Sequence, residues 1–412
     1  MRLILIHQAF TSPSEPGGTR HFEIAKYVQD HGGDLTIVCS DVSYMTGAIS
    51  KARRLGLWST IDDQGITTCR VRAYSAHHKS YMHRSLSFAL FTAGACMTAC
   101  MLKRPQIILG TSPPPFQALG AYLAAVRHRV PFVYEIRDLF WEYIAQTQES
   151  KVTAISKIGK RIELQLCKRA SRVIVNSPGF VPYLRNWGIP LERIALIPNG
   201  VDTEMFSPQT ADRSAWKPFD CENKYIVLYA GALGMLNELD SLLKAAQILQ
   251  SYPDIRICLM GDGKDRPRLM KLAEDLGLKN LVFVPAQPKA SVPKLIASAD
   301  VCVATLRNIP ILRTVYPNKV FDYLASGRPV VLGIEGEIRK VVEAANAGVC
   351  VQPGNVEMLA SGIMQLYANR EEAEACGVRG RAYVKEHFER RRQAEQFADL
   401  MQAVITENGR RA

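Results

Sequence analysis

Short apolar runs alternate with amphipathic stretches along almost the whole chain, and this alternation constrains the fold more than any other feature. LILIHQ, DLTIVCS, PQIILGTS, PFVYEIRD and RVIVNSP are near-continuous apolar runs of strand length in the first half. Between them lie stretches such as TRHFEIAKYVQDHG, with apolar residues at helical spacing and a stop at Gly32. Strands that are apolar on both faces, separated by amphipathic helices, belong to parallel sheets covered on both sides. The stretch 186–224 breaks the pattern with four prolines and several turn residues, and reads as a last strand (IALIPNG) followed by a linker. The alternation then restarts. YIVLYAG, IRICLMGDG, LVFVPAQ, VCVATL, PVVLG and GVCVQP read as strands, with helices between them and a long charged helix at the end. A chain of 412 residues exceeds one core. The expected organisation is therefore α/β with two doubly wound Rossmann-like domains: 1–190, a strand and linker over 191–224, 225–385, and a C-terminal helix over 386–412 returning to the first domain. Ligands of such sheets bind beyond the carboxyl ends of the strands, and the expected site is a central cleft between the facing domains.

Composition removes several function classes. The ten cysteines form no CxxC pair and no Cys/His cluster with zinc spacing, so they read as reduced thiols, several of them in buried strands. MRLILIHQAF is too short an apolar run for a signal peptide and leads to a glycine turn, which points to a cytoplasmic protein. Ser85 to Leu102 lacks charge but is rich in Ser, Thr, Ala, Gly and Cys. It reads as a helix packed on a sheet, with a membrane-dipping helix as the alternative. Residues 1–190 hold 23 Lys and Arg against 12 Asp and Glu, a net of +11 within a whole-chain net of +12. A basic first half suits an anionic partner. Within it, 151–172 spaces Ile155, Ile158, Ile162 and Leu166 as one apolar stripe opposite lysines and arginines. That is the pattern of a membrane-surface helix or of a helix with a solvated face. Basic and aromatic residues are not interleaved, so nucleic acid is not expected as a partner.

Three places carry candidate chemistry. Gly17 and Gly18 precede a helix that starts near Thr19, where bare backbone and free N–H groups can face an anion. Gly261 and Gly263 follow a strand but lack the third glycine of a dinucleotide fingerprint. The third is YPNKVFDYLASGRPVVLG, 316–333, in which Pro317 opens a helix and Gly327 closes it. Lys319 and Asp322 are three apart on one helix face. Lys319 sits at the positive end of the helix dipole, where its own charge is disfavoured. A diphosphate at that end accounts for Lys319, and an attached ribose accounts for Asp322. A solvated Lys–Asp pair is the plainer alternative.

With these residues in view, the chain resembles the retaining GT-B glycosyltransferases of family 4. Five pieces carry the resemblance in order: PGGTRHFEIAKYV at 16–28, IPNGVDTEMFSP at 197–208, YAGALGMLNELDSLLKAAQIL at 229–249, LMGDGKDRPRL at 259–269 and FDYLASGRPVV at 321–331. Within the family it looks most like bacterial transferases of surface polysaccharide (O-antigen or capsule) synthesis, which share RDL after VYEI. The resemblance implies that Gly17 and Gly18 lie against the diphosphate, and that Gly231 ends the strand beside the nucleotide sugar. It places the ribose on Asp322, at the second glutamate of the family's E-x7-E motif. The first glutamate falls on Thr314, and the family's phosphate-binding Arg and Lys fall on Ala232 and Asn237, so Lys319, with Arg313, is the expected replacement. The family's histidine after the fourth strand falls on Arg137, with Asp138 following.

The implied reaction is transfer with retention from a nucleotide-diphosphate sugar to a lipid-linked saccharide. UDP is the commonest base in the family, and an N-acetylamino sugar is one candidate. Asp138 orients the acceptor or acts as base, unless Arg137 and Asp138 form only a structural ion pair. No carboxylate cluster for a metal is expected, so no cofactor is expected. The implied location is the inner face of the plasma membrane, peripherally bound to its anionic surface. A sugar-nucleotide epimerase of the same fold and a non-catalytic GT-B-like partner subunit are the alternatives.

Overall fold

Branched and long apolar side chains dominate the predicted strands, and in the central strands these become buried on both faces. The structure, a computed structural model, describes residues 1–13, 17–42, 49, 56–74, 81–147 and 153–410. The chain divides into two compact units, Met1–Pro198 with Arg391–Ala412, and Asn199–Arg390.

The first unit runs β1 (Arg2–Ile6), α1 (Arg20–Asp30), β2 (Asp34–Ser40), β3 (Trp58–Asp63), β4 (Ile66–Val71), α2 (Tyr81–Met101), β5 (Ile107–Ser112), α3 (Phe116–His128), β6 (Phe132–Ile136), α4 (Phe140–Thr147), α5 (Thr153–Arg169), β7 (Arg172–Val175), α6 (Val181–Asn186) and β8 (Ile194–Leu196). Its sheet has the order β3-β4-β2-β1-β5-β6-β7-β8. Every pairing is parallel except β3 with β4, an antiparallel hairpin at one edge turning at Gln64 and Gly65. Alternate residues divide between the faces. Leu3, Leu5, Leu109 and Val133 share a core with Phe22 and Ile24 of α1. Gly110 faces the other way, where a Cβ would lie 2.8 Å from Ala121 of α3. On that side α2 packs on α3, and α3 on α5.

The second unit runs β9 (Tyr225–Ala230), α7 (Leu239–Ile248), β10 (Ile255–Met260), α8 (Arg266–Asp275), β11 (Leu281–Val284), α9 (Val292–Ala297), β12 (Val301–Thr305), α10 (Asn318–Ala325), β13 (Val330–Gly333), α11 (Glu337–Ala344), β14 (Gly348–Cys350), α12 (Val356–Ala368) and α13 (Arg370–His387). Its sheet is wholly parallel in the order β11-β10-β9-β12-β13-β14. The switch of strand order falls between β9 and β12, which places the carboxyl ends of these two strands at the point where ligands of doubly wound sheets bind.

Several boundaries differ from the sequence reading. The first unit extends past 190, because β8 pairs with β7. Residues 199–224 belong to the second unit: Trp216 is fully buried and its indole N–H donates to Leu295 O at 3.2 Å. The single charged C-terminal helix is two, α13 and α14 (Arg390–Gly409). The chain between them is held by Val201, whose N–H donates to Phe388 O and whose carbonyl accepts from Arg390 N. In α14, Ala394, Phe397, Met401 and Val404 join the core of the first unit.

The helix over 151–172 also differs. In α5, Leu166 is buried but Ile158 is exposed, and Lys160 pairs with Glu142 of α4. The expected separation of apolar and basic faces is therefore incomplete. Ser85 to Leu102 forms most of α2, and no helix among the described residues is long and apolar enough to cross a membrane. All ten cysteines are free thiols.

Candidate functional site

At the switch point of the second unit, β9 is followed by Gly231 with φ +152°, a conformation that favours glycine. A Cβ there would lie 3.1 Å from both Cε and Nζ of Lys319. The bare backbone thus gives the ammonium its place. Lys319 lies in the first turn of α10, whose N-cap, Pro317, makes no side-chain capping bond. Its Nζ donates to Tyr229 Oη at 2.6 Å and to Asn237 Oδ1 at 3.0 Å, and lies 4.1 Å from the centre of the Tyr229 ring. Tyr229 Oη and Asn237 Nδ2 in turn both donate to Ala232 O. The two positions that lack the family's cations, Ala232 and Asn237, therefore anchor the cation that arrives from α10.

Among the described residues no carboxylate pairs with Lys319. Burial lowers its pKa to about 7, tempered by the edge that stays open to water. A half-buried ammonium held by two neutral acceptors beside a glycine and a helix N-terminus is a place prepared for an anion. Asp322 stands one turn further along α10 and is half-buried. Arg313 sits on the turn Pro310–Thr314, exposed, with its guanidinium bonded to Asn308 Oδ1 at 2.9 and 3.1 Å. No contact brings it to Lys319, so Arg313 does not share the ammonium's setting in the way the sequence suggested. Glu238, which follows Asn237, takes φ +53° and receives Ser241 Oγ at 2.5 Å. A non-glycine residue in this conformation at a strand-end loop is strain of the kind found at binding sites.

The carboxyl ends of the first sheet carry a second cluster. Arg137 Nη1 is 3.0 Å from His7 Nε2, His7 Nδ1 is 2.9 Å from His21 Nδ1, and His21 Nε2 is 2.6 Å from Glu135 Oε2. Arg20 closes the chain, with Nε donating to Glu135 Oε1 at 3.0 Å and its Nη atoms to the carbonyls of Ile197 and Pro198. An arginine only donates, so His7 accepts at Nε2 and carries its proton on Nδ1. His21 then accepts at Nδ1 and donates from Nε2 to Glu135. These partners assign one tautomer to each ring. Burial lowers both histidine pKa values, in keeping with neutral rings. Burial pushes the Glu135 carboxyl up, but His21, Arg20 and Arg137 outweigh it and hold it below the ordinary range.

Arg137 and Asp138 form no ion pair with each other, so the structural-pair alternative fails. Arg137 belongs to the histidine chain instead. Asp138 is exposed just beyond β6, and its carboxyl is raised by the surrounding protein, with Arg137 pulling the other way. Gly17 and Gly18 are exposed before α1. Gly17 has φ +144°, and Thr11 Oγ1 donates to Gly18 O at 2.8 Å. Sequence reasoning missed His7, His21, Glu135, Tyr229 and Asn237. His7 and Glu135 could have been found as polar residues at the ends of the apolar runs LIHQ and VYEIRD; His21, inside α1, and Asn237, in a loop, carry no such signal.

No group of three or more His, Cys, Asp or Glu suited to a metal occurs among the described residues. A cavity of about 490 Å³ in the second unit lies at the other end of its sheet, against Tyr225, Asp300 and Pro329 at the starts of β9, β12 and β13. It is separate from Lys319.

Two family models account for most of the chain. The Glycosyl transferase 4-like domain matches residues 17–200, and Glycosyl transferases group 1 matches 212–383. This chain is a GT-B glycosyltransferase. It is 25% identical over 375 residues to WcaI of Escherichia coli (strain K12), provisionally named a colanic acid biosynthesis glycosyl transferase; the match covers 88% of this chain and 91% of that protein. It is 26% identical over 221 residues to a GDP-mannose-dependent α-(1-6)-phosphatidylinositol monomannoside mannosyltransferase of Mycolicibacterium smegmatis, covering 52% of this chain and 57% of that one. Among solved structures, Anabaena HepE in complex with UDP-glucose superposes with a TM-score of 0.74 at 20% identity, over 97% of this chain and 99% of HepE. Sucrose-phosphate synthase of Thermosynechococcus elongatus gives 0.79 at 18% identity, over 98% and 99%. These last two likenesses speak to the fold.

Proposed function

We propose that this glycosyltransferase moves a sugar, with retention, from a nucleotide-diphosphate sugar to a lipid-linked saccharide in surface polysaccharide synthesis. The observation that carries the reading is the Lys319 ammonium, held by Tyr229 and Asn237 beside Gly231 with no carboxylate partner among the described residues. Its missing counter-charge is the diphosphate. Asp322 is the ribose partner on the same helix. The names of the relatives, which include a colanic acid transferase and a phosphatidylinositol mannoside transferase, favour a polysaccharide or glycolipid product. UDP is the first base to test, since HepE binds UDP-glucose, with GDP beside it.

In this mechanism the second unit stabilises the leaving diphosphate through Lys319 and the α10 N-terminus, which favours departure of the nucleotide. The leaving oxygen takes the acceptor proton on the same face of the sugar. Asp138, whose carboxyl is raised to about 6 and stays mostly ionised at neutral pH, orients the acceptor hydroxyl by accepting its hydrogen bond, and the neutral histidine chain holds Arg137 beside it. On this reading the leaving-group charge is met by the Lys319 ammonium and the α10 N-terminus, and no metal is expected to be required.

A panel of UDP- and GDP-sugars, incubated with a polyprenyl-diphosphate-linked sugar, tests the reading. One donor should release nucleotide diphosphate and give a glycoside with the donor's anomeric configuration by NMR, and the rate should survive EDTA. An inverted product would refute retention. Activity lost to EDTA and restored by Mg²⁺ or Mn²⁺ would refute metal independence.

A further inference from the structure

Helix α2 is apolar on both sides. Phe88, Phe91, Ala95 and Ala99 face inward and are buried. Leu86, Leu90, Met97 and Met101 lie within about 60° of one another on the opposite side, at 3.6 residues per turn. Helix α3 runs parallel to α2, close enough that a Cβ at Gly120 would lie 2.9 Å from Thr92 O, while His128 Nε2 stands 2.9 Å from Ala99 O. It adds Leu123 and Val126 to the outer surface. These six large side chains are between 47 and 64% exposed. A helix on a water-facing surface normally turns charged and polar residues outward. A contiguous apolar face marks an interaction site.

The charge around this face identifies the partner. From Gln64 to Tyr134, 71 residues, there is no Asp or Glu. Lys103 and Arg104 follow α2, and Arg127 and Arg129 lie at the end of α3, all four exposed. From α5, packed beside α3, the Arg169 guanidinium reaches to 5.8 Å from the Tyr122 ring, and Arg161 and Lys168 are exposed. A second copy of this chain would bring the same cations against these. An anionic bilayer meets both features, hydrocarbon for the leucines and methionines, phosphate for the lysines and arginines.

We propose that the α2–α3 face docks this protein on an anionic bilayer, lying in the headgroup region without crossing it. The proposal rests on the lipid-linked acceptor of the preceding reading, since such an acceptor is presented at a bilayer. It assigns the docking to α2 and α3, with the basic side of α5 as a flank. Arg53 and Arg54, also part of the basic first half, lie outside the described residues.

Flotation of the full chain with vesicles tests it. Vesicles with roughly one third phosphatidylglycerol in phosphatidylcholine, at about 0.15 M salt, where surface charge still acts over about 8 Å, should carry the protein, and pure phosphatidylcholine should carry much less. Leu90→Glu with Met97→Glu should weaken binding roughly tenfold or more without changing the melting temperature or UDP affinity. Changing Lys103, Arg104, Arg127 and Arg129 to Gln should remove the preference for anionic vesicles, a loss consistent with about 1 kcal/mol for each cation near the surface. Three results would overturn the proposal. They are a parent that ignores anionic vesicles, a double-Glu variant that binds as tightly as the parent, and a parent dimer, seen by light scattering, that the double-Glu variant dissolves. Failure here with intact transfer to a short-chain, water-soluble acceptor would sink the docking alone. Vesicle binding without any donor turnover would sink the functional reading instead.

Discussion

Lys319 concentrates the physical argument at the scale of single residues. Its ammonium has two neutral hydrogen-bond acceptors, a tyrosine ring and, among the described residues, no carboxylate. Removing it with Lys319→Ala should weaken UDP binding by about 1.5–3 kcal/mol, the range for charged hydrogen bonds. Unchanged affinity by calorimetry would contradict this. Binding should also depend on pH. Burial lowers the Lys319 pKa to about 7 in the free protein, so the ammonium predominates below that value and is progressively lost above it. UDP affinity should fall as pH rises above 7, until the higher pKa of the complex is reached, and Lys319→Ala should flatten this slope. The stability sign is opposite to that of a paired lysine. The folded pKa lies below the unfolded value of 10.5, so between 7 and 10.5 the unfolded chain binds more protons, and stability rises with pH across that window. Lys319→Met should therefore raise stability near pH 6 by roughly 1–2 kcal/mol while impairing UDP binding. A melting temperature at pH 6 at or below that of the parent would count against an uncompensated charge.

At the scale of elements, α5 and β6 hold a second unpaired charge. Glu163 is 1% exposed. It accepts from Tyr134 Oη at 2.9 Å, and its Oε2 has no partner in the described structure. Burial raises its pKa to about 7. A raised carboxyl pKa means that the unfolded chain loses its proton first. Stability from this group therefore falls as pH climbs from 4.5 to 7 and stays low above it. Glu163→Gln keeps the bond from Tyr134 and should stabilise the protein at pH 8 by roughly 1–3 kcal/mol, with little effect at pH 4.5. Urea unfolding at the two pH values measures the difference. An equal change at both would show that packing is responsible.

Elements were legible where burial was two-sided. The central strands named from apolar runs, such as β1, β5, β6, β9 and β12, have cores that water does not reach, and their composition says so, while the edge strands β8, β11 and β14 are only partly covered. The hairpin β3–β4 was missed because β3 is an edge strand. Its residues alternate between buried and open positions, and Asp62 and Asp63 close it. The break between α13 and α14 was missed because a backbone pairing with Val201, far away in sequence, makes it. For the same reason the sequence could single out Lys319 and Asp322 as candidates while the histidine chain stayed hidden. The α10 motif is local. His7, His21 and Glu135 come from β1, α1 and β6, and only the sheet order brings them together.

At the scale of the whole molecule, two Rossmann-like units divide the work. The second carries the prepared anion site at the ends of β9 and β12. The first carries Arg137, Asp138 and their buried support, with a basic and apolar outer layer of α2, α3 and α5. On the reading proposed above, a donor site on one unit and an acceptor-side cluster with a bilayer-seeking surface on the other would make a transferase that works where its acceptor is anchored. The most direct test is mass spectrometry of a polyprenyl-diphosphate-linked saccharide after incubation with the cognate nucleotide sugar. The expected result is a gain of one sugar residue with stoichiometric release of nucleotide diphosphate, strongly reduced in Lys319→Ala. Nucleotide diphosphate released by hydrolysis alone, or a product formed equally well by Lys319→Ala, would contradict the account.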